Sequence, residues 1–213
     1  MEILFENEER IVCIKEPGLL SEEAPGKASL PALLQAHTGG AVFPVHRLDR
    51  ETGGVMVYAK TAREAARLSR LVQENRLEKE YLAVVCHNPA EPEGVWEDLL
   101  FHDRAKNKTY VVRRERRGVK KAKLAYRVLA EKDGYTLVQV RLYTGRTHQI
   151  RAQFSARGCP LLGDRHYGGA AAPGLGLWAF RLALPGGTYT SPPPPGGFWA
   201  PFRDIPLPPP LSL

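Results

Sequence analysis

Residues 45–55 read VHRLDRETGGV, and we take this stretch as the organising element of the chain. It places one carboxylate, Asp49, between two arginines and then turns through two glycines into an apolar run at residues 55–59. A charged loop that leads directly into a buried strand is an unfavourable position for an acid unless the acid is paired or used. The adjacent glycines permit positive φ and the close approach of another backbone. The stretch therefore predicts a buried strand preceded by an ion-paired or functional loop.

Hydrophobic periodicity predicts many short strands and few helices around this stretch. The strand-like runs lie at residues 3–5, 11–14, 55–59, 81–86, 124–129, 135–142 and 177–182. Helices are predicted after three capping residues, Ser29, Thr61 and Thr147. We expect a proline-rich tail from Pro192 to lie on the surface, anchored by Phe198, Trp199 and Phe202.

These elements predict an α+β fold: a mixed, mostly antiparallel central sheet flanked by helices. At 213 residues the chain can bury one substantial core. We expect a single domain over residues 1–213, without an amino-terminal RNA-binding module of the S4 type. A monomer is the default expectation.

Composition excludes several classes of protein. No apolar run approaches the roughly 18 residues of a membrane span, which predicts a cytoplasmic protein without a membrane partner. The three cysteines, Cys13, Cys86 and Cys159, are widely spaced and are typical of reduced thiols. No histidine is paired with a cysteine or a second histidine at metal-ligand spacing, so we expect no metal site.

The net charge of +7 is concentrated in one segment. Residues 104–127 hold eleven Lys or Arg and one acid, Glu115, so the remainder of the chain carries about −3. The densest part contains Arg113, Arg114, Arg116 and Arg117. A patch of this kind favours a polyanion, and nucleic acid is the usual partner. The alternative is a basic loop that is merely solvated.

Several motifs follow one another along the chain. They are HRLD-x-x-T-x-G at 46–54, KEY at 79–81, TGRTHQIR at 144–151, GD and YG within 163–168, and AP at 200–201. Together with the opening strands, this succession resembles the RluA family of RNA pseudouridine synthases. The resemblance covers nearly the whole chain, and several specific motifs in the same order are stronger evidence than any one of them.

The resemblance implies roles for individual residues. Asp49 is similar to the family's catalytic aspartate, and Arg151 to the basic residue that pairs with it. Tyr81 is similar to the tyrosine that packs against the target uracil and could also act as a base. Arg47 is similar to the arginine that fills the gap left by a flipped base, and Arg146 is expected to contact RNA.

Each residue also has a plainer interpretation. Asp49 could only neutralise Arg47 or Arg50, or cap a turn. Tyr81 could be a core aromatic residue of a strand, and Arg151 a solvated residue of a helix. Residues alone leave these alternatives open.

The chain departs from the family pattern at two positions. Gly53 stands where the family commonly has serine, and Trp178 stands where a histidine is common. Neither position coincides with the residues assigned above. The departures therefore concern the packing of the loop and the choice of substrate more than the reaction.

The function implied by the resemblance is the isomerisation of specific uridines in ribosomal or transfer RNA to pseudouridine, without a cofactor. The carboxylate of Asp49 would act on a flipped base. One alternative is a non-catalytic RNA-binding or assembly protein on the same fold. Another is a hydrolase with an aspartate nucleophile, which would release free uracil.

Overall fold

A computed structural model describes residues 1–212. The strands are β1 (Ile3–Glu6), β2 (Arg10–Lys15), β3 (Phe43–Pro44), β4 (Gly53–Ala59), β5 (Glu78–Val85), β6 (Glu93–Asp103), β7 (Lys108–Val112), β8 (Val119–Lys132), β9 (Tyr135–Leu142), β10 (Leu177–Leu184) and β11 (Gly187–Thr190). The helices are α1 (Leu30–Thr38), α2 (Ala62–Gln73) and α3 (Gln149–Ser155), with short 3-10 helices at Arg165–Tyr167 and Gly197–Phe202. The chain divides into two compact units.

The first unit comprises Met1–Lys79 and Trp178–Pro193. Its strands follow the order β1-β2-β4-β10, with β3 beside β4 and β11 beside β10. Strand β2 pairs antiparallel with β1 and β4, β3 with β4, and β11 with β10, whereas β4 and β10 pair parallel. Every residue of β4 is buried, as the apolar run after the glycines predicts.

The helices of the first unit begin where their capping residues predict. The Ser29 side chain accepts a hydrogen bond from the Ala32 amide at 3.4 Å, and α1 ends at Gly39 in the left-handed conformation. The Thr61 side chain likewise caps α2 by accepting from the Glu64 amide at 3.2 Å. Both predicted helix starts are confirmed.

The second unit comprises Glu80–Leu177 and Pro194–Leu213, of which residues up to 212 are described. Its strand order is β5-β9-β8-β6-β7, and β6, β7, β8 and β9 pair antiparallel. The hairpin predicted at residues 124–142 is present as β8 and β9. Each unit combines mostly antiparallel strands with one or two α-helices, so the predicted α+β fold class is confirmed.

Strands β6 and β7 were not predicted from the sequence; β6 lies just before the basic segment and β7 within it. Exposed and half-buried residues alternate along the first six positions of β6, and Leu100 is its one buried residue. Such a strand lacks the continuous apolar run by which the other strands were identified. Charge density indicated a loop where the chain in fact forms strands joined by short turns.

Two local predictions in the second unit were wrong. The alternation of Val138, Val140 and Leu142 in the sequence favours a strand β9 that is exposed on its other face, but all residues from Thr136 to Val140 are buried. The residue before α3 is His148, at φ 52°, and not Thr147, and its side chain makes no capping hydrogen bond. Tertiary packing overrides the local signal at both places.

The proline-rich tail is anchored by side chains and by backbone hydrogen bonds. Trp199 and Phe202 are buried as predicted, whereas Phe198 is only half-buried. Near the carboxyl end, Leu211 is fully buried, and its amide donates to the carboxylate of Glu80 at 3.2 Å. The tail is therefore packed against the second unit up to this residue.

The two departures from the family pattern pack against each other in the first unit. Trp178 of β10 is opposite Gly53 of β4 in the parallel register. A Cβ atom on Gly53 would lie 2.2 Å from Cζ3 and 2.8 Å from Cε3 of the Trp178 ring. The indole Nε1 donates to the Ser191 carbonyl at 3.0 Å, which fixes the ring in this place. The glycine is required because the tryptophan is there.

We expect Gly53→Ser and Trp178→His to be strongly coupled. Serine alone clashes with the indole ring, and histidine alone leaves a void, so each should lower the free energy of unfolding by about 1–3 kcal/mol. The double variant should lose less than the sum by about 1 kcal/mol or more. Denaturant unfolding of the four proteins measures this coupling, and strict additivity would show that the two positions are independent.

Among the described residues, no helix is both long enough and apolar enough to span a membrane.

Candidate active site

The loop at residues 45–52 lies between β3 and β4 and is tied to the first unit by buried hydrogen bonds. The Ser21 hydroxyl donates to the Leu48 carbonyl at 2.8 Å and accepts from the Leu48 amide at 3.0 Å. The hydroxyl of Tyr58, on β4, donates to the Ser21 carbonyl at 2.9 Å. A serine held on both sides fixes the backbone one residue before Asp49.

His46 connects the loop to β4. The Val57 amide donates to His46 Nε2 at 3.2 Å, so the proton of the neutral ring is on Nδ1. Burial, helped by the positive charge of Lys79, lowers the pKa of His46 to about 3. The imidazole is therefore neutral at physiological pH and serves as a fixed acceptor rather than as an acid or base.

Asp49 itself is half-buried, and its carbonyl accepts a hydrogen bond from the Thr52 amide at 3.0 Å, which closes a turn. Arg47 is exposed, and its Nη1 lies 3.4 Å from the Glu22 carboxylate. Arg50 is also exposed, and its Nε donates to the Gly18 carbonyl at 3.0 Å. The loop thus presents Arg47 outward, while Arg50 is bound to the backbone of a neighbouring turn.

Tyr81 lies on β5 in the second unit and is 5% exposed. The preceding residue, Glu80, is also buried, and its carboxylate accepts hydrogen bonds from Gln139 Nε2 at 2.6 Å and from the Leu211 amide. Gln139 Nε2 also donates to the Pro209 carbonyl at 2.8 Å. Glu80 therefore joins β5, β9 and the tail next to Tyr81.

Arg151 lies in α3 and makes a two-pronged ion pair with Asp164. Its Nε is 2.6 Å from Oδ2 and its Nη2 is 2.9 Å from Oδ1. The Asp164 side chain is 1% exposed and that of Arg151 is 12% exposed. Bidentate pairing of this kind fixes the plane of the guanidinium group. Arg151 is therefore not the solvated helix residue of the plainer interpretation.

The ring of Tyr167 lies against the same guanidinium group, 5.0 Å from Cζ of Arg151 to the ring centroid. Its hydroxyl accepts from the Thr109 amide at 2.7 Å and lies 3.0 Å from Nδ1 of His148. Burial raises the pKa of Tyr167, so the phenol stays protonated at neutral pH. Tyr167 therefore links Thr109 of β7 and His148, the residue before α3, to the guanidinium group of Arg151.

No role for Asp164 or Tyr167 was predicted from the sequence. The signal was present, because both belong to the GD and YG pair that contributed to the resemblance. Their spacing from Arg151 gives no indication of contact, since the loop after α3 lies between Arg151 and both residues. Only the folded chain shows that they hold one arginine.

The basic arginines lie in the loop between β7 and β8, where residues 113–118 are all exposed. The guanidinium of Arg116 lies 4.6 Å from the centroid of the Phe101 ring. Arg146, which precedes α3, donates from Nε to the Lys121 carbonyl on β8 at 2.9 Å. The second unit therefore brings Arg146 together with the basic segment.

A shallow depression of about 430 Å³ opens beside this loop. It is lined by Leu99, Glu115, Arg116, Val119 and Lys121. Its lining combines two basic side chains, one acidic side chain and two apolar ones, so it is not an apolar ligand pocket. Within residues 1–212, no three His, Cys, Asp or Glu side chains are arranged to hold a metal ion.

Comparison with known proteins yields a consistent result. The family model for RNA pseudouridylate synthases matches residues 10–156. An uncharacterised RNA pseudouridine synthase of Aquifex aeolicus is 38% identical over 178 residues, which is 78% of this chain and 55% of that protein. Ribosomal large subunit pseudouridine synthase D of Pasteurella multocida is 34% identical over 180 residues, covering 81% of this chain and 54% of the relative. The chain spans about half the length of these curated relatives.

A solved structure, of human RNA pseudouridylate synthase domain containing 4, has a similar fold. The TM-score is 0.76 at 27% sequence identity, and the match covers 91% of this chain and 88% of the human one. The similar fold and the sequence matches agree with the succession of motifs that begins with HRLD-x-x-T-x-G at residues 46–54. The chain belongs to the RNA pseudouridine synthase family, as its resemblance to the RluA group predicts.

Proposed function

We propose that this protein is an RNA pseudouridine synthase that isomerises one or more uridines in ribosomal or transfer RNA. The observation that carries the proposal is the HRLD loop, in which a half-buried Asp49 is held between buried anchors at Leu48 and Thr52. A loop aspartate that served only to neutralise neighbouring arginines would not need such anchoring. The family match and the names of the relatives support the same activity.

The reaction breaks the C1′–N1 glycosidic bond, turns the uracil and joins C1′ to C5; the C5 proton is released and N1 takes up a proton, so the product is an isomer of uridine. No electrons are transferred and no group leaves, so the chain's own side chains suffice and a cofactor is not proposed. Asp49 is the proposed catalytic carboxylate, acting on the nucleoside after base flipping. Flipping requires a few kcal/mol of unstacking, which contacts with the enzyme must offset.

Three further residues have proposed roles. Tyr81, buried on β5, offers a flat face against which the uracil can pack. Arg151 supplies a guanidinium that Asp164 and Tyr167 hold in one orientation. Arg47 is exposed, is paired only loosely with Glu22, and is proposed to fill the vacancy left by the flipped base.

The proposed RNA-binding surface consists of Arg146 and the exposed arginines of the β7–β8 loop. Reversing charge at Arg113, Arg114, Arg116 and Arg117 should weaken RNA binding and reduce the dependence of log K on log salt by up to about three units. Filter binding or fluorescence anisotropy across a salt series measures both quantities. The folded state should be unaffected, since these side chains are exposed.

The control is a variant with the same change in net charge at other exposed arginines. Suitable positions are Arg63, Arg70, Arg76 and Arg203. This control should retain most of the salt dependence of the native protein. If the two quadruple variants behave alike, the RNA contact does not lie on the β7–β8 loop.

The activity is tested by incubating the protein with bulk RNA and digesting the product to nucleosides. A synthase produces a uridine isomer that keeps a carbodiimide adduct after alkaline treatment. The same digest separates the other classes of protein, because a hydrolase releases free uracil and a non-catalytic binder leaves the uridines unchanged. Absence of pseudouridine from every RNA tested would refute the proposed activity.

A monomeric state, a cytoplasmic location and a single domain over residues 1–213 remain predictions. Gel filtration with light scattering determines the first, and fractionation of cells the second. RNA is the proposed partner of the protein.

A further inference from the structure

Strands β6, β7 and β8 form a three-stranded antiparallel ribbon, in the order β8-β6-β7, with one packed face and one outer face. Three residues of the ribbon pack with Ala152 of α3 and with Tyr167, and they are Leu100, Val111 and Ala122. Successive side chains of a strand point to opposite faces, so the residues that alternate with these three lie on the outer face. The outer face carries Leu99, Phe101, Tyr110, Val112, Val119 and Lys121.

The side chains of the outer face lie in two rows across the strands. Phe101 of β6 pairs with Tyr110 of β7 on one side and with Val119 of β8 on the other. Directly paired side chains are about 5 Å apart, so this row forms a continuous apolar surface about 10 Å wide. The second row consists of Val112, Leu99 and Lys121. Both aromatic rings of the outer face therefore lie side by side in the first row.

The two aromatic rings are accessible from solvent and lie close to cations. Tyr110 is 37% exposed, and Nζ of Lys108 is 5.8 Å from its ring centroid. Phe101 is half-buried, and the guanidinium of Arg116 lies over its ring at 4.6 Å from the centroid. The solvent-facing side of an antiparallel sheet ordinarily carries polar residues, whereas an apolar surface rimmed by charges is typical of a binding site.

The depression of about 430 Å³ beside the β7–β8 loop opens onto the same face. Leu99, Val119 and Lys121 line it from the strands, and Arg116 lines it from the loop. Glu115 is the acid of this lining, and its Oε1 lies 3.7 Å from Nζ of Lys121. The other three arginines of the loop are exposed, so positive charge exceeds negative charge beside the aromatic row. This combination matches RNA with unpaired bases, which offers flat π faces and negatively charged phosphates.

We propose that the outer face is a subsite for an unpaired nucleotide of the RNA, whose base stacks on Tyr110 and on the Phe101–Arg116 pair. The loop arginines contact the phosphates beside that nucleotide. The subsite depends on the proposed function for the identity of the polymer, which is RNA. Aromatic stacking accepts every base, so the subsite favours unpaired over double-stranded RNA and does not read sequence.

The base at this subsite is not the target uracil. Tyr81, against which the target is proposed to pack, lies on β5. Strands β9 and β8 lie between β5 and β6 in the sheet, which puts β6 roughly 14 Å from β5 at the usual spacing of strands. The enzyme therefore holds its substrate at two nucleotides, the flipped uridine and a second, unpaired one.

The subsite is tested by the binding of a short oligocytidylate, which is a single strand without uridine. Tyr110→Ala should weaken binding about 5- to 100-fold at each salt concentration, because a stacking partner is lost. The slope of log K against log salt should not change, because no charge is removed. Tyr110→Phe keeps the ring and should bind as the native protein does. Fluorescence anisotropy over a salt series measures affinity and slope together.

Tyr135→Ala is the matched control. This half-buried tyrosine begins β9 and pairs with Lys132, at the opposite end of β8 from Val119, so its loss should leave oligocytidylate binding unchanged. Tyr110→Ala should also bind duplex RNA as the native protein does, because paired bases cannot stack on the ring. Native affinity of Tyr110→Ala for oligocytidylate would overturn the inference, and so would an equal loss of affinity for the duplex.

A measurement on the native protein gives the answer even if Tyr110→Ala does not fold. A chain of abasic ribose phosphates, of the same length and charge as the oligocytidylate, offers no base for stacking. It should bind about fivefold more weakly or worse. Equal affinity for the two chains would overturn the inference, because binding would then depend on phosphates alone.

Failure of the subsite and failure of the proposed function are distinguishable. A native protein that makes no pseudouridine would refute the proposed function, whereas oligocytidylate binding would still decide whether the outer face accepts a base. A protein that makes pseudouridine but binds oligocytidylate equally well with and without the Tyr110 ring would keep its function and lose the subsite.

Discussion

Asp49→Asn should abolish turnover and leave RNA affinity within about threefold of the native value. The amide keeps the size of the side chain, and it replaces one carboxylate oxygen by an NH₂ group and removes the negative charge proposed to act in the reaction. Loss of a group that acts in the transition state typically lowers kcat by about 10³-fold or more while substrate binding is kept. Single-turnover tritium release and anisotropy binding on the same RNA measure the two quantities.

The loop has a matched control residue in Glu51, which is exposed and lies two positions after Asp49. Glu51→Gln removes the same type of charge from the same loop and should retain most of the turnover. Turnover by Asp49→Asn at a native rate would refute the role of Asp49. Equal losses in both variants would indicate a general need for negative charge in the loop.

The second large effect is expected for Asp164→Ala. Removing the carboxylate leaves the guanidinium of Arg151 buried beside Tyr167 without its bidentate partner. Breaking one side of a buried ion pair lowers the free energy of unfolding by about 3–5 kcal/mol. Turnover should fall as well, because the orientation of Arg151 is no longer fixed. Denaturant unfolding measures the loss of stability. Tritium release, at a temperature about 20 °C below the thermal midpoint of the variant, measures the loss of turnover.

An exposed ion pair in the same unit provides the comparison. Lys123 and Glu97 are 2.7 Å apart, with side chains 45% and 67% exposed. Glu97→Ala should change the free energy of unfolding by about 1 kcal/mol or less. Asp164→Asn, which keeps an acceptor oxygen, should be less destabilised than Asp164→Ala. A loss of stability at Asp164 no larger than that at Glu97 would show that the buried pair does not matter.

The parts of the fold that the sequence predicted are those with a local cause. Ser29 and Thr61 cap their helices because a side-chain oxygen reaches an amide three residues ahead. Strand β4 follows from an uninterrupted apolar run after two glycines. Within these elements the loop of Asp49 could be placed from the sequence.

The parts that the sequence did not predict depend on contacts between distant segments. Asp164 holds Arg151 only because a loop after α3 returns to the helix. Lys15 lies 35 and 37 residues before the carbonyls of Arg50 and Thr52 that it binds. Nothing in the local pattern of a lysine at a strand end indicates burial.

The departures at Gly53 and Trp178 illustrate the same limit. In the sequence they are separate differences from a family pattern, more than a hundred positions apart. In the structure they are register partners, and the ring occupies the space that a side chain at residue 53 would need. One packing solution accounts for both substitutions.

The most direct test of the central claim is a map of pseudouridine in the RNA of cells that lack the gene. The same cells are complemented with the native protein and, separately, with Asp49→Asn. We predict that at least one pseudouridine is lost on deletion, returns with the native protein and does not return with the variant. A map unchanged by deletion, or one restored by Asp49→Asn, would contradict the assignment of this chain as a synthase that works through Asp49.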